Sequence, residues 1–293
     1  MKVEGWRRLR CYGSAPQFAA EVLEELTANE EIITLYVKAQ DPEVRANREK
    51  VCRRVRDYFG HQLQIHSGLK VLCFFDDEDL ASLRRDPPLG FGRANRGLHE
   101  RVRGGISHWP EYVQELLAVD DPDSFAITWP FSSLIYLHGS TCETEIGMTI
   151  TFAHELQHFM QYAGRRRLWA ANMLLMNLEK YFPYRTDFKF LWEIPIEIEA
   201  RVVAKQAAET LFGGERVRQY VDARVGNPVN ADDAKDWEFF RGLRSSDSYD
   251  LLIETKKLVQ RYEPLLRKLQ EHRDLQRDPD FSTLDFAKAQ WWK

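Results

Sequence analysis

The feature that most constrains this chain is a pair of histidines four residues apart, His154 and His158, preceded by a mostly apolar, proline-free run from Ile146 to Ala153. In an α-helix, residues i and i+4 lie one above the other on the same face, so the two imidazoles come together. Thr149, Phe152, Leu156, Phe159 and Ala163 recur at three- and four-residue spacing on the other side, the pattern of a helix buried along one face. Ser140-x-x-Glu143 reads as a capping box that starts this helix. Gly164 and the run Arg165-Arg166-Arg167 read as its end, because glycine relieves the left-handed cap position and cations oppose the negative helix terminus.

The full string is His154-Glu155-Leu156-Gln157-His158. Glu155 falls roughly 100° around the helix axis from His154, beside the imidazole pair. Two imidazoles on one face are the beginning of a metal site, and a carboxylate beside them suits a general base acting on metal-activated water. Zinc fits such a site, since it takes imidazole and carboxylate in tetrahedral geometry and can keep one position open for water, whose pKa then falls to about 7. A pentapeptide of this kind can arise by chance, so a third ligand has to be found. No histidine lies between His158 and His272. The best segment is Trp192 to Ala204, which starts 34 residues after the second histidine (192 − 158). Pro195 suits a first helical turn, and the run to Leu211-Phe212 ahead of Gly213-Gly214 predicts one helix with a glycine stop. Glu197 shares its face with Ala200, Arg201, Ala204, Ala208 and Leu211, small or apolar neighbours that would allow close approach to the histidine helix. Glu199 shares its face with Val202, Val203, Gln206 and Thr210, and Glu193 precedes the proline. This ranks Glu197 first and Glu199 second, with both open.

The HExxH string followed by a helix with Glu197-x-x-Ala200 resembles the zincin metallopeptidases of gluzincin type. Glu197 to Ala204 is similar to the corresponding helix of ImmA/IrrE-like cytosolic bacterial peptidases. The resemblance implies His154, His158 and Glu197 as ligands of Zn2+, Glu155 as general base, and hydrolysis of a peptide bond in a protein or peptide substrate. Gluzincins commonly carry Asp or Asn four residues after the glutamate ligand. This chain has Arg201 there, so either another group supplies that contact or the ligand shifts by two residues. A donor to the developing oxyanion is also needed. Tyr162, Tyr181, Tyr184, His138 and Arg201 are candidates, and Tyr184 is favoured because it lies in a proline-containing stretch between the ligands. The alternative is a non-catalytic zincin-like binding or regulatory protein with a structural metal site. Glu155 argues for catalysis, Arg201 for the alternative.

Beyond the two motifs, a formal net charge of −4 over 293 residues supplies no global positive field for nucleic acid. Cys11, Cys52, Cys73 and Cys142 are widely spaced and read as reduced thiols of a cytoplasmic protein. No signal-like or membrane-spanning apolar stretch is present, so no membrane partner is expected. Up to residue 138, helices and strands alternate: a helix over 16–28, a β-rich Glu31–Ala39, a helix from Asp41-Pro42 to about Phe59, and strands at Leu69–Phe75 and Ser132–His138. The expected class is therefore α+β and zincin-like, a mixed sheet followed by a metal-binding helix and a mostly helical C-terminal half. Residues 1–138 would form the first part and 139–293 the second, as two domains or one. By the same resemblance, the strand at 132–138 is expected to offer an edge to an extended substrate. Arg84, Arg85, Arg93, Arg96, Arg101 and Arg103 lie in a glycine-rich stretch that reads as a solvated loop or a seat for acidic groups, and Arg165–Arg167 share that ambiguity. Glu215–Val225 reads as helix, Asn227–Asp247 as loop, and Tyr249–Leu275 as a long helix kinked at Pro264. Trp291-Trp292 are expected to dock on the body of the protein.

Overall fold

A computed structural model of the chain describes residues 8–10, 34–36, 42–60, 69–75, 104–107, 133–138, 143–182, 193–228, 230–245, 249–271, 284–288 and 290–292. Seven helices are described: α1 (Pro42–Phe59), α2 (Glu145–Gly164), α3 (Arg166–Tyr181), α4 (Pro195–Phe212), α5 (Gly214–Gly226), α6 (Ala231–Gly242) and α7 (Leu251–Gln270). Extended backbone is described at β1 (Arg8–Arg10), β2 (Thr34–Tyr36), β3 (Leu69–Phe75), β4 (Gly104–Ser107) and β5 (Ser133–His138), paired in the order β1-β2-β3-β5-β4. The chain divides into two compact units, Met1–Phe159 and Met160–Lys293, and the division falls inside the continuous helix α2.

The α+β expectation is corrected. Setting these extended segments aside, the remaining described residues are 82% helical and contain no sheet, which makes the described part of the chain a helical protein. Of the extended segments, only Leu137 has a described side chain. The physical reason is length and partnering. β1 and β2 are three residues each, and side chains alternate across a strand, so each offers only one or two to either face. The segments pair chiefly with one another, whereas the substantial helix contacts are α3 with α7, α4 with α7, α3 with α4, α4 with α5 and α5 with α6. β5 runs parallel to β3 on one side and antiparallel to β4 on the other.

Within the first unit, α1 starts at Pro42, a residue suited to the first turn because its missing N–H has no partner there. Val51, Cys52, Val55 and Phe59 recur at helical spacing and form its buried stripe. Helix α2 begins four residues later than the sequence suggests. Thr144 Oγ1 accepts from the Gly147 backbone N–H at 3.0 Å, which makes Thr144 the N-cap in place of Ser140. Glu145, in the positive first turn, is bonded by Lys50 at 3.0 Å.

In the second unit, α3 starts one residue after α2 ends. Leu168, Ala171, Leu174, Leu175 and Leu178 form its buried face. Asn172 lies in that face. Its Nδ2 donates to Thr255 Oγ1 of α7 at 2.9 Å, and its Oδ1 accepts from the Ile196 N–H of α4 at 3.3 Å. Helix α4 has no side-chain cap of its own, so this contact satisfies one of its orphan donors from a neighbouring helix. It ends at Gly213, whose φ of 85° is a backbone conformation that a side chain would strain.

Asp250 caps α7 by accepting from Ile253 N–H at 3.0 Å. Leu251, Thr255, Val259, Tyr262, Leu266 and Leu269 make the buried stripe of α7 despite Pro264 inside the helix. Each large aliphatic in such a stripe contributes about 1.5–3 kcal/mol by leaving water. After α7, Gln270 donates to the Leu284 carbonyl at 2.8 Å, Trp291 is buried against Phe286, and Lys256 of α7 lies over the Trp292 ring. None of the described helices is long and apolar enough to cross a membrane.

Candidate metal centre

Helix α2 is buried on several sides. Phe152, Leu156 and Phe159 are in the core, and so are Glu155, at 7% exposure, and His158, at 5%. Carboxylate and imidazole groups are costly to bury without partners, so their presence in a core helix marks a polar site. His154 and His158 converge as their spacing requires. Their Nε2 atoms are 2.9 Å apart and the rings meet edge to face. Two ring nitrogens this close either share one proton or turn together to a common cation.

Glu197, in the first turn of α4, completes the group. One ligand atom from each of His154, His158 and Glu197 can be chosen so that all lie within 4.8 Å of one another, a spacing that could hold a metal ion. Imidazole nitrogen and carboxylate oxygen suit a first-row divalent cation. Tetrahedral zinc with bonds of 2.0–2.1 Å separates two nitrogens by about 3.3 Å, a few tenths more than the separation of the His154 and His158 Nε2 atoms, and the Glu197 carboxylate supplies the third donor type that zinc takes.

Glu199, the second-ranked ligand, faces a different set of partners. Its carboxylate is buried, with Gln161 Nε2 at 2.9 Å and Arg165 Nη1 at 3.1 Å. Gln161 lies three residues after His158 and donates also to the Ile196 carbonyl at 3.0 Å. One carboxamide thus grips two points near the start of α4, on either side of Glu197 in sequence. Burial, and after it the carboxylates of Glu254 and Glu199, push the Tyr249 hydroxyl above its usual pKa.

Arg201, one turn after Glu197, donates to Glu197 Oε2 at 2.6 Å. Its Nε and Nη2 reach Asp236 Oδ1 of α6 at 3.2 and 3.1 Å. Burial alone would lower its pKa, but the Glu197 and Asp236 carboxylates beside it outweigh that effect and raise it. Sequence reasoning missed Asp236, which lies in a segment read as loop. Nothing in the spacing of residues 201 and 236 signals their contact.

The other candidates fare differently. The Tyr162 hydroxyl accepts from Arg166 at 2.9 Å, and its ring meets Trp169 edge to face. Arg165 pairs with Glu199, and Arg167 reaches the Trp291 carbonyl, so all three arginines of the run make contacts within the chain. Tyr184, the His138 side chain and the run from Arg84 to Arg103 lie outside the described residues. No family model, no curated protein and no solved structure matches this chain.

Proposed function

We propose that this chain is a cytoplasmic zinc-dependent metallopeptidase that hydrolyses a peptide bond in a protein or peptide substrate, similar in its two motifs to the gluzincins. The observation that carries the proposal is the grouping of His154, His158 and Glu197, with Glu155 buried next to His154 in the same helix. A fully structural zinc site is closed by four protein ligands, whereas three leave a position for chemistry. A zinc ion there would polarise the scissile carbonyl and acidify water. Glu155 takes one proton from the attacking water as the carbon–oxygen bond forms, and returns it to the leaving amine as the carbon–nitrogen bond breaks. Tyr184 is the proposed donor to the developing oxyanion.

The short bond from Arg201 to Glu197 favours a second reading, a zincin-like regulatory protein whose metal is structural. Digestion of a peptide library by the zinc-loaded chain, followed by mass spectrometry, separates the two. Cleavage that falls about 10²–10⁴-fold in Glu155→Gln at unchanged zinc content supports the peptidase. Absence of cleavage at any sequence by the loaded wild type leaves the regulatory reading.

A further inference from the structure

Helix α6 bears on the metal group through a two-step connection. Glu197 is the only member of the group supplied by α4, and a carboxylate on a flexible side chain needs a partner to hold its rotamer. Arg201 provides it. The two side chains sit one helical turn apart, both largely buried, and are joined by a 2.6 Å bond. An arginine beside a ligand carboxylate has a cost, since its charge opposes that of a cation. Asp236 offsets it, because both guanidinium contacts made across to α6 end on its Oδ1. Glu197, Arg201 and Asp236 together carry one net negative charge, the same as an isolated glutamate, but in a fixed geometry.

We propose that Arg201 and Asp236 are positioning residues for the metal ligand: Asp236 orients and neutralises Arg201, and Arg201 in turn sets the carboxylate of Glu197 toward the histidines. The proposal rests on the reading of His154, His158 and Glu197 as a zinc site. It explains how a basic residue stands one turn after the ligand without abolishing the site. It also makes zinc affinity depend on a side chain of α6 that acts through Arg201. Partners of metal ligands commonly control affinity by 10–100-fold.

The test is zinc affinity of the full chain, measured by competition with a chromophoric chelator, for wild type, Asp236→Asn and a control, Lys205→Met. Lys205 also joins α4 to the end of α6, through its bonds to the Phe240, Arg241 and Leu243 carbonyls, but does not contact Glu197 in this network. Asp236→Asn keeps the shape of the side chain and leaves Arg201 charged against Glu197 alone. The expected result is zinc binding at least tenfold weaker in Asp236→Asn, and within about threefold of wild type in Lys205→Met even where the thermal midpoint of the metal-free control falls. Wild-type affinity in Asp236→Asn overturns the proposal. Equal weakening in both variants also overturns it, because it traces the effect to docking of α6 in general. A wild type that binds no zinc overturns the metal site itself, and this inference with it.

Discussion

Replacing Gln161 with leucine tests how the start of α4 is fastened. The substitution keeps the approximate volume of a side chain that is 1% exposed and deletes its Nε2 bonds to the Ile196 carbonyl and the Glu199 carboxylate. The bond to the Ile196 carbonyl is neutral and contributes about 0.5–1.5 kcal/mol; the one to the Glu199 carboxylate contributes about 1.5–3 kcal/mol. Glu199 keeps Arg165, an arginine with 51% of its side chain exposed, which compensates little. The expected loss is about 2–4 kcal/mol. With a urea dependence of about 2 kcal/mol per molar, the unfolding midpoint should fall by roughly 1–2 M. The assay is urea unfolding of the metal-free chain followed by circular dichroism, so that zinc adds nothing by mass action. Glu199→Leu in the Gln161→Leu background should recover part of the loss, since removing both partners of a buried bond costs less than removing one. An unchanged midpoint in Gln161→Leu, or a double variant that loses the sum of the two singles, would refute the reasoning.

Other outcomes follow from the same contacts. Glu199→Ala should stay loaded with zinc while unfolding at lower urea, because its carboxylate holds Gln161 and Arg165; metal analysis of the purified variant checks this. Lys205→Met should cost about 2 kcal/mol, read by thermal or urea unfolding, since it uncaps three carbonyls at the end of α6. Phe152→Ala, at a fully buried position, should cost about 3–5 kcal/mol in the same assay. Dialysis against a chelator should stop hydrolysis, and one equivalent of zinc should restore it, measured on whichever peptide the library identifies.

What could be read from the residues was local. The four-residue spacing of His154 and His158 dictates their convergence, and Pro195 and Gly213 mark the two ends of α4 by the absence of an N–H and of a side chain. Ala200, Ala204 and Ala208, on the face of Glu197, are buried. What could not be read was chemistry with two meanings. Gly164 and three arginines signal a helix end, and α2 does end there, but a single non-helical residue, Arg165, separates it from α3. Asn227, Asn230 and Asp232 look like loop residues. Asn230 instead accepts from the Asp233 N–H at 2.9 Å and starts α6, because the side chains that favour turns also cap helices. Tertiary partners such as Asn172 for Ile196 and Asp236 for Arg201 leave no mark in spacing. Short β-rich or apolar runs such as Glu31–Ala39 and Leu69–Phe75 point to a mixed sheet as the organising layer, whereas helix-on-helix packing organises the described core.

The central claim is that two histidines of α2 and a glutamate of α4 hold one metal ion. Zinc analysis combined with X-ray absorption at the zinc edge, on wild type beside Glu197→Ala, tests it most directly. The account predicts about one zinc per wild-type chain with nitrogen and oxygen neighbours and no sulfur, and loss of most of the metal in the variant. Wild-type protein that takes up no zinc, zinc bound through sulfur, or a variant as fully loaded as the wild type would contradict it.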